Sequence, residues 1–121
     1  MFGKTILAVD NAEMFLNSLK RYLEDTTYEL HCVMSGREAL KYLDEKKKKP
    51  DLILTDVEMP EMDGYELTRQ IKQRGIRAPI VFITANAEQE DLDKAAAAGV
   101  AGVLAKPFRT NQLLDKIKEF I

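Results

Sequence analysis

Four side chains with chemical capacity stand where apolar, strand-like segments of this sequence stop: Asp10 after TILAV, Asp56 after DLILT, Thr84 after PIVFI and Lys106 after VLA. If those segments run parallel in one sheet, their ends meet on one rim and bring two carboxylates, a hydroxyl and an ammonium together. Oxygen donors without nitrogen or sulfur select a hard cation. Mg2+ suits such a set, because one or two carboxylates usually hold it while water and phosphate complete its octahedron. A phosphoryl group is then the natural co-ligand: Lys106 can neutralise its oxygens, Thr84 can donate to them, and a carboxylate nucleophile can accept it as an aspartyl phosphate. Asp56 is the better-placed nucleophile, since it ends the central strand and leads into a tight VEMPEMDG turn whose backbone can reach the metal. Asp10 then serves the metal.

Positioning these ends requires a β/α alternation, and the chain reads as one, with no repeats and no linker. Strand-like segments at 5–10, 28–33, 51–56, 79–84 and 101–105 alternate with helical patterns. Buried faces are marked by Phe15, Leu16, Leu19 and Leu23, by Leu40 and Leu43, by Leu67 and Ile71, by Leu92, Ala95 and Ala96, and by Leu113, Leu114 and Ile117. Ser35 with Glu38 and Asp63 with Glu66 have capping-box spacing, Asn86 with Gln89 is a looser version, and Gly99 suits a helix C-terminus. Four of the strand-like segments are nearly continuous apolar runs, as parallel strands covered on both faces must be. The second alternates Glu29 and His31 with Tyr28, Leu30 and Cys32, which places it at a sheet edge. The expected fold is α/β: a doubly wound (βα)5, flavodoxin-like parallel five-stranded sheet in the order 2-1-3-4-5, forming a single domain over residues 1–121. Ligands of such sheets bind beyond the carboxyl ends of the strands, where the order reverses. Asp10 and Asp56 flank that point.

Bulk composition excludes several function classes. Eighteen basic against twenty acidic residues give a formal charge of -2, so no general attraction to nucleic acid or acidic membranes is built in. The N-terminal apolar run is too short for a signal sequence and no segment is long enough to span a bilayer, so a soluble, cytoplasmic protein is expected. The one cysteine, Cys32, has no internal disulfide partner and reads as a packing residue.

With Asp10 after its strand, Asp56 followed by MPEMDG, the pair Thr84-Ala85, and Lys106-Pro107-Phe108, the chain resembles the receiver domain of two-component response regulators from about Thr5 to Ile121. The resemblance implies a stand-alone switch or the input domain of a longer regulator, phosphorylated on Asp56 by a histidine kinase, a phosphotransfer protein or a small phosphodonor, with Mg2+ required. It implies Asp10 as an acidic-pocket residue, Thr84 and Lys106 as sensors of the phosphoryl group, the Glu58 backbone carbonyl as a metal ligand, and a cis Lys106-Pro107 bond. The change would be read out by an output protein or by self-association on the face of helix 4, strand 5 and helix 5. Beyond self-phosphorylation and autodephosphorylation, no enzymatic activity is implied. The family tunes its dephosphorylation rate at positions held here by Glu58 and Asn86.

Two departures stand out. The family usually places a second acid after the first, often as a direct metal ligand; here Asn11 offers a carbonyl oxygen without charge. Losing one charge near a dication weakens the interaction by up to about 4 kcal/mol per unit-charge pair at an effective dielectric of about 20, before relaxation and water offset most of it, and fewer clustered carboxylates make the metal-free domain more stable. Val103 stands where many receivers carry an aromatic ring that swings inward, so the signal travels by loop and helix shifts alone or the response is weak. Both departures favour an alternative, a pseudo-receiver that binds partners without phosphorylation. A phosphohydrolase using Asp56-Val57-Glu58 generally needs a longer chain, and nucleotide or flavin binding lacks a glycine-rich loop. Met59, Met62 and Gly64 read as turn and packing residues, Asp63 as a helix cap, His31 as an exposed edge residue, and Lys46 to Lys49 as a solvated helix end.

Overall fold

The computed structural model describes residues 3–45 and 49–121. Five strands, β1 Thr5–Val9, β2 Glu29–Val33, β3 Leu52–Asp56, β4 Ile80–Thr84 and β5 Gly102–Ala105, alternate with five helices. These are α1 Glu13–Leu23, α2 Gly36–Glu45, α3 Gly64–Gln73, α4 Gln89–Ala97 and α5 Thr110–Phe120. The strands pair in parallel in the order β2-β1-β3-β4-β5, the doubly wound order expected. Among the described residues, no helix is long and apolar enough to cross a membrane. Lys46, Lys47 and Lys48 lie outside the described residues; Lys49 donates from Nζ to the Leu43 carbonyl in the last turn of α2.

The two-residue period of the strands divides the core. Leu7, Val9, Ile53 and Phe82 face one side with Leu40, Leu43, Leu67 and Ile71 of α2 and α3. Ile6, Ala8, Leu54, Val81 and Ile83 face the other with Leu16, Leu19, Leu113 and Ile117 of α1 and α5. Each fully buried Leu, Ile or Phe in these layers contributes roughly 1.5–3 kcal/mol relative to exposure, so both faces of the sheet hold the rim in place. β2 is one of the two sheet edges, with Glu29 and His31 exposed. His31 stacks on Tyr42 of α2 at 4.3 Å.

Helix α4 departs from the expected stripe. Leu92 is 38 % exposed and Ala96 is exposed, whereas Ala95 is 1 % exposed and Asp91 and Ala98 are half-buried. The inward face is therefore 91, 95 and 98 rather than 92, 95 and 96. Its start also differs: the Glu88 N–H donates to the Asp91 carboxylate at 3.1 Å, so that carboxylate closes the first turn. Asn86 does not cap this helix. The other boxes are half formed: Ser35 and Asp63 accept the Glu38 and Glu66 N–H groups, but the Glu38 carboxylate goes to the Met34 N–H and that of Glu66 to Arg69 and Gln70. At the far end of α4, Gly99 adopts φ +86 and a Schellman pair closes the helix, Gly99 N–H to Ala96 and Val100 N–H to Ala95.

Candidate functional site

Backbone bonds tie the strand ends together before any side chain acts. The Asp10 N–H donates to Val33 at 3.2 Å and the Lys106 N–H to Thr84 at 2.8 Å, so both residues are locked one position past their strands. Asp56 and Thr84 are the last residues of β3 and β4. The parallel register thus delivers Asp10, Asp56, Thr84 and Lys106 to one rim.

Asp10 is 2 % exposed. A buried carboxylate needs partners, and it has two: Oδ1 accepts the Ala12 N–H at 2.8 Å and Oδ2 accepts Lys106 Nζ at 3.0 Å. The Lys106 ammonium also lies 4.0 Å from the centre of the Phe15 ring, whose edge meets Phe108. The Lys106-Pro107 bond is cis. Phe15 was legible only as part of a buried helical stripe; its place beneath Lys106 depends on a contact between distant parts of the chain.

Asp56 is half-buried, and Oδ1 accepts the Val57 N–H at 2.9 Å. Burial pushes its carboxyl above the ordinary value and the nearby Asp10 charge pushes it further, while Lys106 and the Val57 and Glu58 N–H groups oppose the rise. A carboxylate held against its own burial and a neighbouring negative charge is a receptive oxygen donor for a cation or an electrophile. The turn that follows is drawn tight by Gly64, whose N–H bonds the Val57 carbonyl at 2.7 Å. A Cβ at Gly64 would lie 2.7 Å from the Asp56 carbonyl oxygen, so α3 begins there only because the residue is glycine. Met59 is buried and Met62 packs on Gly36, in keeping with structural roles.

Thr84 is 6 % exposed, and its hydroxyl oxygen accepts the Asn86 N–H at 3.0 Å, leaving its proton available to donate. The Asn86 side-chain amide donates to Glu58 Oε1 at 3.1 Å and so joins the loops after β3 and β4. A cavity of about 200 Å3 is lined by Asp56, Glu58, Thr84, Ala85, Asn86 and Lys106. A second, of about 210 Å3, shares Glu58, Thr84 and Asn86 and runs toward Phe82, Ala95 and Val103 under α4. Asn11 is exposed and lines neither.

The donor set fits a hard cation. Among the described residues, no three Asp, Glu, His or Cys side chains converge closely enough to hold a metal alone. Two carboxylates with a backbone carbonyl and water, however, match what Mg2+ accepts.

The response regulator receiver domain family matches this chain over residues 6–118. Chemotaxis protein CheY of Halobacterium salinarum is 33% identical over 119 residues, covering 98% of each chain. The alkaline phosphatase synthesis regulatory protein PhoP of Bacillus subtilis is also 33% identical, but the chain spans only 49% of its length. Among solved structures, chemotaxis response regulator CheY4 of Vibrio cholerae superposes with a TM-score of 0.90 at 30% identity, covering 98% of this chain and 99% of that one. The receiver domain of a sensor histidine kinase from Pseudomonas aeruginosa, with a magnesium ion coordinated in its active site cleft, superposes at 0.85 with 32% identity, covering 98% and 97%.

Proposed function

Because the chain belongs to the receiver-domain family of response regulators, we propose that Asp56 is the phosphoacceptor of a two-component signalling switch. The observation that carries this reading is the half-buried Asp56 carboxylate, raised above its ordinary pKa beside Asp10 and sharing one cavity with Thr84 and Lys106. One Asp56 oxygen attacks the phosphorus of a phosphohistidine on a kinase or phosphotransfer protein, or of a small phosphodonor. The P–N or P–O bond breaks, a departing imidazole takes a proton from water whereas a departing carboxylate leaves as the anion, and an acyl phosphate remains on Asp56. Lys106 exchanges its bond to Asp10 for one to the new phosphoryl oxygens, and the free Thr84 proton donates to another.

Asp10, Asp56 and the Glu58 carbonyl would hold Mg2+, as magnesium is held in the cleft of the Pseudomonas relative; bound there, it would offset the charge of the carboxylates and the incoming phosphoryl group. Movement of Thr84 toward that group reaches α4 through the shared cavity, and the face of α4, β5 and α5 would carry the change to an output partner or a second copy. A phosphorylation-independent interaction module is the second reading, favoured by the exposed Asn11 and by the space left at Val103.

Incubation with acetyl phosphate, with Mg2+ or with EDTA, tests the proposal by intact mass. A gain of one phosphoryl group that requires Mg2+ is expected, and a folded protein that gains none would favour the second reading.

A further inference from the structure

The acidic inventory of the rim is one charge short for a dication. Asp10 and Asp56 supply two negative charges, Lys106 cancels one, and Asn11, exposed and outside the cavity, supplies none. One further acidic side chain lines the Asp56 cavity, and it is Glu58. Its carboxylate is exposed and held aside, with Oε1 on the Asn86 amide at 3.1 Å. Side-chain rotation alone can therefore bring it toward the oxygens of Asp56, and exposed side chains rotate in picoseconds to nanoseconds.

We infer that the Glu58 carboxylate is this chain's third acidic group for Mg2+, released from Asn86 to supply the charge that Asn11 lacks. This rests on the phosphoacceptor reading above and adds a role for the Glu58 side chain separate from that of its carbonyl. The Glu58–Asn86 bond and metal binding compete for one carboxylate, so each weakens the other by the same factor. Asn86 is also bonded through its backbone to Thr84, so loading the metal loosens the join between the β3 and β4 loops beside the phosphoryl sensor.

The test is a Mg2+ titration of the whole chain by calorimetry, alongside NMR observation of the Asn86 side-chain amide. Glu58→Gln keeps the backbone carbonyl and the amide bond partner but removes the charge; it should weaken Mg2+ binding by roughly tenfold, well within the Coulomb limit for one charge. Asn86→Ala should tighten binding by roughly twofold to fivefold, the scale of one exposed hydrogen bond. Asn11→Asp should restore affinity in the Glu58→Gln background, and the Asn86 amide signal should shift as wild type is loaded. Equal affinity of wild type and Glu58→Gln, both folded by circular dichroism, would overturn the role of Glu58 while leaving the phosphoacceptor reading intact. A wild type that binds no Mg2+ would overturn both.

Discussion

At the scale of single residues, the rim is governed by how each charge is compensated. Asp56 carries a proton more readily when folded than an ordinary Asp does, owing first to burial and then to Asp10. The folded state therefore binds more protons than the unfolded chain between the ordinary and the raised pKa, and stability falls as pH rises through that window. Asp56→Asn should accordingly raise the metal-free melting temperature at pH 7, and the advantage should vanish below about pH 4, where both states are protonated. Melting curves across pH check this. Asp10 is a 2 % exposed carboxylate whose ammonium partner is part exposed. Lys106→Met keeps an apolar stem over Phe15 but strips Asp10 of a charged donor. It should cost about 1.5–3 kcal/mol in metal-free urea denaturation, the worth of a hydrogen bond to a charged group. The four rim residues were legible because each ends an apolar segment. Phe15 beneath Lys106 and Asn86 against Glu58 were not, since these contacts join positions separated by many residues and no local pattern encodes them.

At the scale of elements, what was legible followed the amplitude of the hydrophobic pattern. Strand segments built from Leu, Ile, Val and Phe were placed within about one residue, and the exposed edge character of β2 followed from Glu29 and His31. Helix α4 turns a different face inward because its run of alanines offers little contrast; Ala95 is its buried residue, while Leu92 is exposed. Gly64 was readable as a turn residue but not as a steric necessity. Gly64→Ala sets a Cβ against backbone, 2.7 Å from the Asp56 carbonyl oxygen, where nothing flexible can yield. It should destabilise the fold by roughly 1–3 kcal/mol and slow phosphorylation by displacing Asp56; thermal melts and the rate of phosphoryl incorporation measure the two effects. Val103 is the reverse. It lines the cavity of about 210 Å3 beside Phe82, so Val103→Phe has space to enter. Its stability should stay within about 1.5 kcal/mol of wild type, with the Phe ring buried by NMR contacts to Phe82 and Ala95.

At the scale of the whole molecule, two packed layers hold a rigid sheet whose carboxyl ends converge, and the loops beyond them carry the chemistry. The cavity under α4 shares Thr84 with the Asp56 cavity, while Phe15 and Phe108 pack edge to face on the α1 side of the rim, beside a cavity of about 240 Å3. The proposed switch depends on Asp56 accepting the phosphoryl group. The most direct measurement is borohydride reduction of protein treated with acetyl phosphate and Mg2+, followed by peptide mapping, because an acyl phosphate is reduced to the corresponding alcohol while a free carboxylate is not. Asp56 as the phosphoacceptor predicts homoserine at position 56 and unmodified aspartate at position 10. An unmodified position 56 in folded, treated protein, or modification at Asp10 instead, would contradict it.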